Sequence, residues 1–178
     1  SVRTITRTVA LALMLCPAGS QAVDTITTFA GIGWLPVGYS GDGGAATSAR
    51  LNSPTGVAVD GAGNVYIADA GNDVIRKVEA GTGIITSYLS GTSNPQGVAV
   101  DGAGNLYVAD TGNNVVWKVT VATEVVTLVA GTGGWGYSGD GGLATGAELD
   151  GPEAVAVDGS GNVYIADTNN NVIRKVAA

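Results

Sequence analysis

The chain has 178 residues, 45% of them apolar, which suffices for one domain with a real hydrophobic core and excludes a disordered tail. Its 29 glycines, 13% charged residues and single Phe suit many short strands joined by tight turns and exclude an architecture of long helices. Acidic residues outnumber basic ones by 15 to 8, and no window gathers enough Lys or Arg to track a phosphate backbone, so nucleic acid is excluded as a partner.

Residues 1–22 read as a secretory signal. Arg3 and Arg7 precede the apolar run "VALALMLC", and "PAGSQA" then supplies small residues at Ser20 and Ala22, with cleavage expected after Ala22. Eight apolar residues are too few to span a bilayer, so no membrane insertion of the mature chain is expected. The only cysteine, Cys16, lies in this segment, and Leu15 sits where a small residue normally precedes a lipid-bearing Cys. The expected product is secreted, extracellular or periplasmic, free of disulfides, and loss of Arg3 and Arg7 takes its formal charge from −7 to −9.

The mature region, 23–178, is repetitive. A first β-rich run occupies 24–30, "DTITTFA", and a long loop follows that contains "GYSGDGGAAT" at 38–47. "GVAVDGAGNVYIADAGNDVIRKV" starts at Gly56 and "GIITSYLSG" at Gly83; "GVAVDGAGNLYVADTGNNVVWKV" starts at Gly97 and "EVVTLVAG" at Glu124. The loop then returns as "GYSGDGGLAT" at 136–145, before "AVAVDGSGNVYIADTNNNVIRKV" from Ala154. Val and Ile alternate with small residues or Tyr, and Gly, Asn or Asp marks every gap, which is strand and turn chemistry. Each unit predicts four strands, giving blades around 55–90, 96–130 and 153–178. Both faces of the strands are apolar, as at Val57, Ala58 and Val59 or Val65, Tyr66, Ile67 and Ala68, so each small sheet needs cover on two sides. Neighbouring repeats supply it in a β-propeller.

The repeated string, read as Gly-Val-Ala-Val-Asp, then Gly-Asn-[Val/Leu]-Tyr-[Ile/Val]-Ala-Asp, then a final Arg-Lys-Val, closely resembles the NHL-repeat family of β-propellers. The resemblance covers 24–178, with Ala154 in place of the first Gly of the third copy and Trp117 in place of the Arg of the second. It implies an all-β propeller used mainly to bind proteins, with some members binding RNA and a few propeller relatives acting as lyases or lactonases.

The two long loops join an outer strand to the next inner strand, which in a propeller sets them on one face. They lack the Lys and the helix N-terminus of a phosphate cradle, and each offers one carboxylate where a calcium loop needs several oxygen ligands. Each loop reads as a connector whose rings fold down over its own blade, or as a binding surface; on the second reading Trp34, Tyr39 and Asp42 in the first, with Trp135, Tyr137 and Asp140 in the second, form the candidate binding face, suited to a protein or a glycan. Asp60, Asp101 and Asp158 read as hairpin-turn residues, and Asp69, Asp110 and Asp167 as strand-ending carboxylates that bond turn amides. Arg76 with Lys77, Lys118, and Arg174 with Lys175 read as solvated stems near each blade's outer rim. No cofactor is expected; calcium is the one conceivable ion.

Catalytic chemistry is thin: the chain has no His, no Cys outside 1–22 and no Ser in a nucleophile elbow. A binding scaffold is therefore the leading reading, ahead of a calcium-assisted propeller hydrolase or lyase and of a repeat fragment of a larger cell-surface protein. The strand count leaves the third blade one strand short while 24–30 has no blade of its own. Three blades do not close readily, so the expectation is an open arc, or a head-to-tail homodimer of six blades in which 24–30 completes the partner's last sheet.

Overall fold

The computed structural model describes residues 25–33 and 37–178; residues 1–22, where a signal segment is expected, Asp24 and Trp34 lie outside the described residues. The first sheet contains β1 (Gly44–Ala45), β2 (Pro54–Val59), β3 (Val65–Asp69), β4 (Val74–Val78) and β5 (Ile84–Ser90) in the order β1-β5-β4-β3-β2. The second is β6 (Pro95–Val100), β7 (Leu106–Asp110), β8 (Val115–Thr120) and β9 (Val125–Ala130), and the third is β10 (Pro152–Val157), β11 (Val163–Asp167) and β12 (Val172–Val176). Neighbouring strands within each sheet are antiparallel, and the result is an all-β stack of three propeller blades. Among the described residues no helix is long and apolar enough to cross a membrane.

The turns explain why the strands begin and end where they do. Asp60 Oδ1 accepts the backbone N–H groups of Ala62 and Asn64, while its Oδ2 accepts from the Asn64 amide and the Tyr66 hydroxyl. Asp101 and Asp158 repeat this set, and Gly63, Gly104 and Gly161 take the positive φ that the turn demands. At the opposite end, a 3-10 turn in the first two blades and a hydrogen-bonded turn in the third close on a left-handed residue, Asp73, Asn114 or Asn171, before the third strand starts.

Blades bury their faces on one another. Tyr66, Ala68 and Ile75 of the first pack with Leu106, Val108 and Val119 of the second. Tyr107, Ala109 and Val116 of the second meet Val155, Val163 and Ile165 of the third, with Leu149 from the loop between them. Inner strands approach closely enough to exclude a side chain: a Cβ on Gly56 would lie 2.5 Å from the Gln96 carbonyl oxygen, and one on Gly97 would lie 2.6 Å from that of Glu153. Ala154, the third residue of this series, is exposed and meets no such neighbour, which accounts for its departure from Gly.

Two features differ from the expectation of four-stranded blades. The first loop adds β1 to the outer edge of its sheet, Gly44 opposite Ile85 and Ala45 opposite Ile84, making five strands. Residues 25–30 form no strand, Ile26 is fully exposed, and the third sheet keeps three strands. Among the described residues, 25–30 do not complete the last blade within the single chain, because β6 packs between β2 and β10 and holds the two ends of the arc apart.

Partial burial at Asp60 and Asp101 pushes their carboxyls up, but the amides of Asn64 and Ala62, or Asn105 and Ala103, outweigh it; at Asp158 the Asn162 amide dominates. All three are held below the ordinary value of 3.8. A depressed folded pKa contributes stability that is complete above the unfolded value and is lost as pH falls through the folded one. The melting temperature is therefore expected to hold between pH 7 and 5 and to drop below about pH 4, with Asp101→Asn lowering the neutral-pH melt and flattening the acid limb. A second expectation concerns the glycine contacts: Gly97→Ala should cost about 1 to 3 kcal/mol in urea unfolding as backbone is forced apart, and Ala154→Gly should cost less.

Candidate functional site: the loop-bearing face

Both long loops fold on the same internal plan. Gly41 and Gly139 adopt φ of +96° and +89°, and a Cβ on either would lie 2.6 Å from the Cα of Ala49 or Ala147, so the loop doubles back where only Gly fits. A 3-10 turn follows, Ala46–Ser48 in the first loop and Ala144–Gly146 in the second.

What fixes the first loop to its blade is an arginine from β4. Arg76 is fully buried, and its Nη2 lies 2.5 Å from Asp42 Oδ1 in the loop. Its Nη1 lies 3.4 Å from Oδ2 of Asp69, the buried carboxylate that ends β3, and its guanidinium stacks 4.9 Å from the centre of the Tyr39 ring. The carbonyls of Ser40 and Arg50 accept two further bonds, and Nε has no acceptor among the described residues. Tyr39 donates its hydroxyl to Asp42 Oδ2 at 2.8 Å and also touches Ser87 Oγ, while the Ser87 N–H donates to the same carboxylate. Partial burial pushes the Asp42 carboxyl up, and the Tyr39, Ser87 and Arg76 bonds overcome this to hold it below its ordinary value. The expectation of a solvated stem thus fails at Arg76, because two carboxylates and an aromatic face compensate its burial. Lys77, on the opposite face, lies over the rings of Tyr66 and Tyr88.

The third blade repeats the arrangement. Arg174 lies 2.8 Å from Asp140 and 3.4 Å from Asp167, bonds the Ser138 carbonyl, and stacks 5.3 Å from Tyr137, whose hydroxyl donates to Asp140 at 3.3 Å. The difference is cover: the Asp140 side chain is 69% exposed where that of Asp42 is 37% exposed. Trp135 is 78% exposed, Tyr137 59% and Leu143 82%, against 51% for Tyr39. An open groove of about 480 Å³ runs beside Asp140, Leu143, Ile165, Arg174 and Val176.

The second blade has no such loop and no arginine. There Trp117 donates its indole N–H to Asp110 Oδ2 at 2.9 Å, taking the place of the guanidinium with a neutral donor. In all three blades the same carboxylate also ties the incoming inter-blade link: Asp69, Asp110 and Asp167 accept the N–H of Asn52, Ser93 and Asp150 at 2.7 Å each. Asn72, Asn113 and Asn170 supply side-chain donors to the second oxygen. Among the described residues, no three His, Cys, Asp or Glu converge as metal ligands. Sequence reasoning missed Arg76, Arg174 and Ser87 as parts of the loop anchor. The available signal was the coincidence of loop and Arg in two units and of neither in the third.

Two family models match this chain: the teneurin NHL domain over 26–93, and the NHL repeat over 92–119 and 149–175. This is an NHL-repeat protein. Solved structures agree on the fold. A chain of the nidogen/laminin complex superposes with a TM-score of 0.54 at 19% identity, covering 70% of this chain and 43% of that one. A gluconolactonase from Xanthomonas campestris gives 0.52 at 18%, with 65% and 35% covered. A protein of unknown function from Bacteroides thetaiotaomicron gives 0.58 at 23%, with 65% and 32% covered. The NHL-repeat chain thus spans between 32% and 43% of the length of these structures.

Arg76→Leu strands two carboxylates, one of them fully buried, and should cost about 3 to 5 kcal/mol in urea unfolding. Arg174→Leu should cost distinctly less, since Asp140 is largely solvated. Equal losses would show that the anchor's strength does not follow its burial.

Proposed function

We propose that this NHL-repeat protein is a secreted binding scaffold whose loop-bearing face takes a protein partner. The observation that carries the reading is the outward display of Trp135, Tyr137 and Leu143 on one loop, beside the exposed carboxylate of Asp140. Large apolar and aromatic side chains held on an anchored loop are ready contact surface, because little conformational freedom is lost when a partner covers them. The Arg174 anchor supplies that order from beneath. Likeness to a chain of the nidogen/laminin complex supports protein association as the role of such a surface; glycan binding is the alternative ligand class. Secretion rests on the charged, apolar and small-residue order of 1–22.

A calcium-assisted hydrolase or lyase is the second reading, supported by the gluconolactonase among the similar folds. Calcium separates the two. On the scaffold reading, millimolar calcium leaves the thermal melt and the tryptophan emission unmoved, and a calcium-dependent rise in melting temperature favours the second reading.

Cross-linking of the mature chain to extracellular proteins of its host, mapped by mass spectrometry, is expected to place cross-links within 132–143. Combined Trp135→Ala and Tyr137→Ala should weaken binding of the protein so identified by roughly tenfold or more, an effect of hot-spot size, with little change in melting temperature. Full affinity in the double variant would remove the assignment, and so would a large loss of stability, which would make these rings part of the fold.

A further inference from the structure

The first and second blades seal against each other through Tyr66, Ala68, Leu106 and Val108, but further out, between β5 and β9, an open cleft of about 370 Å³ remains. One wall carries Lys77, Thr86 and Tyr88; the other carries Glu124 and Val126, with Val119 at the base. The volume is at the low end of the range of about 300 to 1,000 Å³ usual for small-molecule sites, which suits one compact ligand.

Two of these residues depart from the repeat. Arg76 pairs with Ser87 and Trp117 with Leu128, so the residue after each, Tyr88 or Val129, occupies the same place in its blade. Glu124 departs more sharply. The β8–β9 turn is built like the β4–β5 turn, since the Glu124 N–H donates to the Thr120 carbonyl as that of Gly83 does to Glu79. Both residues are left-handed, with φ of +56° and +67°, a conformation that Gly adopts without strain. Four of the six non-Gly residues with positive φ are Asp or Asn, which tolerate it; Glu124 is not one of them. Backbone strain of this kind collects where a side chain is used.

The charges in the cleft are opposite and do not meet. Among the described residues every ion pair uses Arg76 or Arg174, so neither Lys77 nor Glu124 is paired. Lys77 is held in place by the rings beneath it, with Nζ 5.7 Å from the centre of Tyr66 and 5.5 Å from that of Tyr88. Burial, followed by the Glu124 charge, pushes the Tyr88 hydroxyl above its ordinary value, which sets that carboxylate near the ring's polar end. Thr86 is the cross-strand partner of Lys77 and adds a hydroxyl at the cationic end. Val126, two residues beyond Glu124, is 43% exposed and offers an apolar wall. A simple anion or cation would answer one of the two charges, and a neutral sugar neither. A ligand carrying both signs answers both.

We propose that the cleft between β5 and β9 binds a free α-amino acid, its ammonium group on Glu124 and the Tyr88 hydroxyl, its carboxylate on Lys77 and Thr86, and its side chain against Val126. The site is separate from the loop-bearing face, because Trp135, Tyr137 and Asp140 line no part of it.

Isothermal titration of the full chain with each common amino acid is expected to find at least one that binds with a Kd of about 1 mM or tighter. The carboxamide and N-acetyl forms of that amino acid each lack one charge and should bind roughly tenfold or more weakly. Lys77→Gln should weaken binding by a similar factor. Glu124→Gly should do the same while keeping or raising the melting temperature, since it removes the left-handed strain; a residue that merely held the turn would lower it. Combined Trp135→Ala and Tyr137→Ala should leave the affinity unchanged, which separates this site from the protein-binding face. Absence of binding by every amino acid, equal binding of the blocked forms, or a lower melting temperature in Glu124→Gly overturns the proposal.

Discussion

A carboxylate with no exposure to water ends the second strand of every blade, and the rest of the architecture answers to it. An ionised carboxyl in such a place is tolerated only when its lone pairs are filled. One oxygen of each takes the backbone N–H of the link arriving from the preceding segment, which locks the link to the blade. The other takes an Asn from the adjoining turn and one donor from the third strand. The nature of that last donor decides the rest of the blade's face.

Where the donor is Arg, a buried cation is added that one carboxylate does not fully satisfy, and the loop brings a second through Asp42 or Asp140, with a Tyr face above the guanidinium. Where it is Trp, the donor is neutral, no further anion is needed, and a short link suffices. The long loops are thus held electrostatically from the blade beneath as well as by their own glycines. Their aromatic side chains are displayed as a consequence of that anchoring.

Much of this was legible in the sequence. Copies of one unit, read at period two between Gly and Asp turn signals, indicate the strands and their stacking, because a strand apolar on both faces has few ways to be covered. What escaped was of a different kind. Alternation places Arg76 and Lys77 on opposite faces but says nothing of which face is capped, so the buried residue of the pair could not be told from the solvated one. The extra strand β1 forms from Gly44 and Ala45, which carry no strand signal; it exists because the anchored loop lies along β5. Residues 25–30 have good strand chemistry and yet form no ladder, since pairing needs an edge within reach as well as a suitable sequence.

The correlation of Arg and loop acid also bears on how such a chain grows by copying parts of itself. Duplicating the strands of the first blade without the preceding segment would leave Arg76 facing an empty space where Asp42 belonged, and duplicating the second blade together with a long loop would leave the loop acid with no cation beneath it. The heritable module therefore starts upstream of the sheet it serves, at the loop's first glycines, and runs at least through the strand that bears the arginine. Chimeras joined at that frame keep their charges matched, whereas joints drawn at visible blade boundaries cut through the one polar cluster that each blade cannot do without.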